Sequence, residues 1–194
     1  MDRQKIHDEK KQLRKTLIQT RSSIPEVLRE SKSHKIVDQI LASEAYKKAE
    51  IIFCFYPIGD ELRVDYLFDQ ALVDNKRIAF PVCLSRGHME SFIPQDMHDM
   101  EKDSFGIPSP DPEQDQKIEP YDLDLVIVPL LGFDRRRYRI GYGAGFYDRY
   151  LPRVSDQANI IGVAFSEQEV PKIPHDQYDF VLPAILTDKE LLKG

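Results

Sequence analysis

The residues whose types and spacing best suit chemistry are Arg139-Ile140-Gly141-Tyr142-Gly143-Ala144-Gly145-Phe146-Tyr147-Asp148-Arg149. Three glycines at every second position leave a run of backbone amides unshielded by side chains. Exposed amides between a strand and a helix bind anions, phosphate above all. Arg139 and Arg149 flank the run with guanidinium groups that pair bidentately with phosphate, and Asp148 is a carboxylate of the kind that carries magnesium beside a nucleotide. Glycines also serve plain turns, where they supply positive φ or close packing. The spacing matches neither the dinucleotide fingerprint nor the P-loop, so from these residues alone a phosphate cradle and a structural turn both stand.

The remaining reactive types narrow the chemistry. His7, His34, His88, His98 and His175 are scattered without the paired helical spacing of a zinc site, so any metal is expected to be a hard cation held by oxygen. Cys54 and Cys83 lie in or beside apolar segments, with no ligand spacing between them, and are expected to be buried free thiols. Lys10-Lys11 with Arg14, and Arg135-Arg136-Arg137 with Arg139, are either pocket cations or solvated charged faces. A net charge of -6 disfavours nucleic-acid binding as the main task.

These side chains need a scaffold, and 194 residues suffice for one well-buried core, so a single domain over 1–194 is expected. Hydrophobic residues make up 41% and charged residues 31%, which is ordinary for a globular protein. No apolar run approaches a membrane span, and no signal-peptide pattern opens the chain, so a cytoplasmic protein without membrane contact is expected.

Along the chain, residues 2–22 carry Ile6, Leu13, Leu17 and Ile18 at helical spacing, and Ser22-Ser23-Ile24-Pro25 ends that pattern. A second helix is expected from Pro25 to Ala42, burying Val27, Leu28, Ile36, Val37, Ile40 and Leu41. The continuously apolar run from Ile51 to Tyr56 reads as a central strand covered on both faces. A helix from Val64 to Val73 and a strand from Arg77 to Val82 follow, which implies a parallel pair with a right-handed crossover. Residues 84–120, polar and proline-rich, read as an irregular excursion with weak strand signals near Met89–Ile93. Leu123–Leu131 holds a buried strand, with Leu125–Pro129 at its centre. Asn159–Phe165 is another strand, and Phe180–Thr187 is a last extended segment. The outcome is an α/β fold with a mostly parallel sheet and helices on both faces, whose ligands bind beyond the carboxyl ends of the strands. Loops Tyr56–Glu61, Pro129–Tyr147 and Ser166–Asp179 occupy that position.

With those residues in place, the chain resembles the 5-formyltetrahydrofolate cyclo-ligase family nearly end to end. The resemblance is carried by Val126-Ile127-Val128-Pro129, Phe133-Asp134 and the run from Arg139 to Arg149. Supporting pieces are Lys10-Lys11-Gln12-Leu13-Arg14, Asp60-Glu61, Phe105-Gly106-Ile107-Pro108, and Gly162-Val163-Ala164-Phe165 with Gln168, His175-Asp176 and Asp179. It implies a three-layer α/β/α, Rossmann-like fold of the CoA-transferase-like kind. It also implies an ATP- and magnesium-dependent closure of 5-formyltetrahydrofolate to 5,10-methenyltetrahydrofolate, with release of ADP and phosphate, by a monomer.

By the same resemblance, Lys10 and Arg14 contact ATP phosphates, as do Arg139 and the loop residues Gly141, Tyr142, Gly143, Ala144, Gly145, Phe146 and Tyr147. Arg139, Tyr147 and Asp148 form the catalytic group, and Asp148 with Asp179 holds magnesium. Glu61 contacts the pterin, and Tyr56, Tyr142, Phe146 and Tyr147 face its rings. Plainer roles exist for several: a solvated helix face for Lys10 and Arg14, a helix-dipole partner for Asp148, a helix cap for Asp60 or Glu61, and core for Tyr56. The chain departs from the family pattern at Leu130 and Arg137, where glycine is usual, at Phe146, where tyrosine is commoner, and at Ser109, often glutamate. Two other readings remain at this point: a folate- or nucleotide-binding module without catalysis, and an enzyme of related fold acting on sugar phosphates or acyl-CoA.

Overall fold

The computed structural model describes residues 3–85, 87–104 and 106–194. Phe105, part of one supporting motif, lies outside the described residues, as do Met1 and Asp2. Helix α1 (Arg3–Ser23) is followed by α2 (Glu26–Ala42), a short α3 (Glu44–Lys48), β1 (Ile51–Phe53), α4 (Asp65–Val73), β2 (Arg77–Ser85), β3 (His88–Ile93), β4 (Gln116–Ile118) and β5 (Leu125–Pro129). The hairpin β6 (Gly132–Phe133) and β7 (Arg139–Ile140), then α5 (Phe146–Tyr150), β8 (Asn159–Val163), β9 (Ala184–Leu186) and β10 (Leu191–Lys193) complete the order.

The main sheet runs β10-β9-β8-β5-β1-β2-β3-β4. Its central pairings, β9 with β8, β8 with β5, β5 with β1 and β1 with β2, are parallel, and antiparallel strands close both edges. Successive residues of β1 and β5 feed opposite faces, which is why these strands read as unbroken apolar runs. Ile52, Leu125 and Ile127 pack with Ile36, Val37 and Ile40 of α2 and Leu67 and Phe68 of α4. Phe53, Val126 and Val128 pack on the other face with Tyr150 of α5 and with Leu151 and Val154 beyond it. This is the expected α/β layering with a mostly parallel sheet. Among the described residues, no helix is long and apolar enough to cross a membrane.

Several expectations need correction. The strand at Ile51 stops at Phe53. Residues 84–120 are less irregular than expected, because β2 continues to Ser85 and β3 and β4 add to the sheet. The edge strand β4 spans three residues, two of them exposed, and β3 buries the polar Glu90 and Ser91 between Met89 and Phe92, so both left little apolar signal. Ile18 is exposed, and its expected place on the buried face of α1 falls to Arg21, four residues after Leu17. Val27 and Leu28 are likewise exposed, since the face of α2 turned to the core carries Ile36, Val37 and Ile40, with Leu41 partly buried against them. Cys54 is buried but Cys83 is exposed, where the end of β2 passes the sheet's carboxyl edge. The elements α3, β6, β7 and β10 were not expected; each spans five residues or fewer, too few for a period to register.

Candidate active site

A cleft of about 1160 Å³ opens at the carboxyl end of the sheet. The loops after β1, β5 and β8 and the end of β2 all reach it, and α1 lies across it. Helix α1 is anchored there by Leu17, which packs with Leu131, Ile140 and Ile173 in a small cluster apart from the two sheet faces. That anchor faces Lys10, Arg14 and Arg21 toward the loops, because the three lie four and seven residues apart on one helical face.

One end of the cleft gathers cationic side chains around the glycine loop. Arg139, in β7, is buried, and its Nη2 donates to Asp148 Oδ1 at 2.7 Å while Nη1 donates to the Phe180 carbonyl at 2.8 Å. The same Asp148 oxygen accepts the Phe180 amide at 3.1 Å. Arg14 Nε donates to the Gly141 carbonyl at 2.8 Å, and burial lowers this guanidinium from its ordinary value, with Asp179 opposing. Lys10 Nζ meets Asp179 Oδ2 at 2.6 Å, and that oxygen also accepts the Asp176 amide at 2.7 Å. Gly143 and Gly145 take φ of +106° and +69°, which side-chain-bearing residues rarely adopt. The glycines are therefore needed for the loop's path. Among the described residues, no protein acceptor takes the amide hydrogens of Gly141 to Gly145. Arg149 pins the loop from behind, donating to the carbonyls of Gly87 and Ala144.

The other end of the cleft, which meets the glycine loop at Tyr142, is acidic. Glu61 is buried, and its Oε2 accepts the Ile58 amide at 3.2 Å. Its Oε1 accepts the Tyr142 hydroxyl at 3.2 Å and lies 3.6 Å from Arg21 Nη1. Arg21 Nη2 donates to that same hydroxyl at 2.6 Å and meets Asp60 Oδ1 at 2.6 Å. Burial pushes the Glu61 carboxyl above its ordinary value, and Arg21 partly opposes the shift. Asp60 and Glu61 do not cap α4, whose N-cap is Val64 with no side-chain cap bond.

Most residues expected at a site gather here: Lys10, Arg14, Glu61, Arg139, every residue from Gly141 to Asp148, and Asp179 all line the cleft. Burial pushes the Tyr147 phenol well above its ordinary value. Tyr56 is the exception: its ring sits 6.2 Å from Phe68 and 6.3 Å from Phe80, within the core rather than along the cleft. Arg21 was missed, and Arg149, read as a phosphate partner beside the run, also bonds to the carbonyls of Gly87 and Ala144. The position of Arg21 on the stripe of Lys10, Arg14 and Leu17 is the signal that could have revealed it.

A profile of the 5-formyltetrahydrofolate cyclo-ligase family matches residues 6–188. The chain belongs to that family. It is 29% identical over 183 residues to a 5-formyltetrahydrofolate cyclo-ligase of Mycoplasma pneumoniae, an alignment covering 93% of this chain and 99% of that one. Its identity to the cyclo-ligase of Mycolicibacterium smegmatis is 28%, covering 93% and 94% of the two chains. Among solved structures, the 5,10-methenyltetrahydrofolate synthetase of Aquifex aeolicus superposes with a TM-score of 0.82 at 28% identity, over 95% of this chain and 92% of that one. The Mycoplasma pneumoniae synthetase gives 0.76 at 26% identity, over 92% and 98%.

For a cyclo-ligase family member, the departure at Arg137 now has a physical reading. Arg137 adopts φ +68°, the left-handed region that glycine favours, and its guanidinium donates to the Leu182 carbonyl at 3.0 Å and the Lys193 carbonyl at 3.3 Å. Those bonds offset the strain of a Cβ there. Leu130 is buried against the face that holds Val128 and Leu182. Nothing in the structure explains Ser109.

Proposed function

We propose that this protein is a 5-formyltetrahydrofolate cyclo-ligase, which uses ATP and magnesium to form 5,10-methenyltetrahydrofolate, ADP and phosphate. The observation that carries this reading is one cleft with a cationic, amide-lined end and a buried acid at the other. A triphosphate suits the first end and a pterin, with its ring N–H and amino donors, suits the second. A formamide oxygen is a poor leaving group. Once it carries the γ-phosphoryl group, attack by folate N10 on the formyl carbon expels phosphate and closes the ring. No protein nucleophile is needed, so the work of the site is positioning and charge neutralisation.

On this reading Lys10, Arg14 and Arg139 neutralise phosphate charge, and the amides of Gly141, Gly143 and Gly145 hold phosphoryl oxygens. Tyr142, Ala144, Phe146 and Tyr147 wall the nucleotide and folate, with the Tyr147 hydroxyl as a donor. Glu61 accepts hydrogen bonds from the pterin. Asp148 and Asp179 offer the hard oxygen donors that magnesium takes, and magnesium when bound supplies charge neutralisation and orientation of the phosphates. Among the described residues, no three potential ligand side chains cluster. This fits an ion held by one or two carboxylates together with phosphate oxygens and water. Asp148 also keeps Arg139 extended toward the phosphates.

The test is simultaneous measurement of ATP consumption and methenyl-folate absorbance with purified protein, 5-formyltetrahydrofolate and magnesium. Both should advance in equal molar amounts. Folate binding without phosphate release would replace the reading with that of a non-catalytic binding module.

A further inference from the structure

Arg21 is 4% exposed, yet it reaches from the last turn of α1 to three groups that belong to two other loops. Its Nη2 lies 2.6 Å from Asp60 Oδ1 and donates to the Tyr142 hydroxyl at 2.6 Å, and its Nη1 lies 3.6 Å from Glu61 Oε1. Tyr142 in turn donates to Glu61 Oε1 at 3.2 Å, and its ring lies beneath the guanidinium, 5.8 Å from centroid to carbon. The result is a closed circuit of arginine, phenol and carboxylate. Tyr142 belongs to the glycine loop and Glu61 to the loop after β1, so this circuit is where the two ends of the cleft touch.

We propose that Arg21 is a positioning residue, whose guanidinium fixes the Glu61 carboxylate in the orientation that receives a pterin and fastens that acid to the glycine loop through the Tyr142 hydroxyl. The inference rests on the folate reading given above. A planar fork with several donors suits the task, since one guanidinium serves Asp60, Tyr142 and Glu61 at once and a lysine ammonium lacks that fixed geometry. A second consequence concerns pH. Glu61 faces Arg21 from α1, Asp60 from its own loop, Tyr142 from the glycine loop and Tyr147 from α5, and Arg21 is the cation among them. Without it, the buried carboxyl holds its proton to higher pH.

The experiment is calorimetric titration of 5-formyltetrahydrofolate, without turnover, into wild type, Arg21→Met, Glu61→Gln and the double variant, across a pH series. Arg21→Met is expected to weaken binding about tenfold or more, because it removes together the ion pair to Glu61 and the charged hydrogen bonds to Asp60 and Tyr142. Because Arg21 acts through Glu61, the double variant should bind within about twofold of Glu61→Gln alone. The pH at which binding strengthens should move upward in Arg21→Met. If thermal melts show that variant unfolded, Arg21→Lys takes its place, with a smaller loss that also vanishes in the Glu61→Gln background. Additive losses in the double variant, or an unmoved pH profile, would overturn the inference and leave the folate reading intact. Wild-type protein that does not bind the folate would overturn both.

Discussion

The two ends of the cleft are built from the same parts in opposite proportion. At the glycine loop, Lys10, Arg14 and Arg139 face Asp148 and Asp179, and the amides of Gly141 to Gly145 add further positive ends of dipoles. Around Glu61, Arg21 is the one cation among the described residues that pairs with Asp60 and Glu61. The balance is cationic at one end and anionic at the other, within a chain whose net charge is -6. Local charge, then, says more about what binds than the total does. The ends also differ in cover. Asp148 and Asp179 retain 28% and 14% side-chain exposure, whereas Glu61 retains 8%. A phosphate can draw its cations away from half-open carboxylates, but a group meeting Glu61 meets an acid already shaped by its neighbours.

Breaking the cationic end should have the largest effect. Arg139→Ala and Asp148→Ala are each expected to lower turnover by about 10²- to 10³-fold, as for removal of a preorganised charge-stabilising group, measured by methenyl-folate formation. Both should remain folded by circular dichroism. Gly143→Ala comes next. Its φ of +106° forbids a comfortable side chain, and a Cβ would stand 3.1 Å from the Arg14 guanidinium carbon. It should raise the KM for ATP about tenfold and lower stability by roughly 1–2 kcal/mol in denaturant titration.

The acidic end is sharpened by pH. The folded protein holds the Glu61 proton more tightly than the unfolded chain does, because burial raises its pKa. This group's contribution to stability is therefore fully present below the unfolded pKa and is lost as pH rises through the higher folded value. Glu61→Gln should remove that decline with rising pH in denaturant titrations from pH 4 to 8. A decline of equal size in the variant would assign it to other groups. The smallest effect is expected outside both ends. Arg137→Gly relieves a positive φ but forfeits bonds to the Leu182 and Lys193 carbonyls, so the net change should stay within about 1 kcal/mol, read from the shift in Tm.

How far the molecule was legible in its sequence follows the same division. The strands β1, β5 and β8 were readable because burial on both faces leaves long apolar runs, and the glycine loop was readable because few backbones need such spacing. Lys10 and Arg14 stood as either pocket cations or a solvated face until the resemblance favoured the first, and Glu61 and Asp179 gained named roles only through it, since each alone is an ordinary charge. Arg21 escaped notice altogether. Its burial makes sense only beside Asp60 and Tyr142, which are 39 and 121 residues away, and no local pattern encodes contacts of that kind. Tyr56 failed in the opposite sense, because an aromatic near a strand end looks the same whether it meets ligand or core. Ile18 failed because an apolar residue beside a helical stripe was counted within it, when the stripe itself had a buried arginine.

The crossing of α1 over the cleft has a consequence for how the protein is made. Lys10 and Asp179 are 169 residues apart, and Arg14 and Gly141 are 127 apart. The helix precedes all of these partners in synthesis, and at about 5–20 residues per second it waits on the order of ten seconds or more for the last of them. During that interval it is a charged segment with few apolar side chains to hold it anywhere. Closure of the pocket therefore comes late in the making of the chain, and a chain interrupted before the glycine loop lacks the cleft.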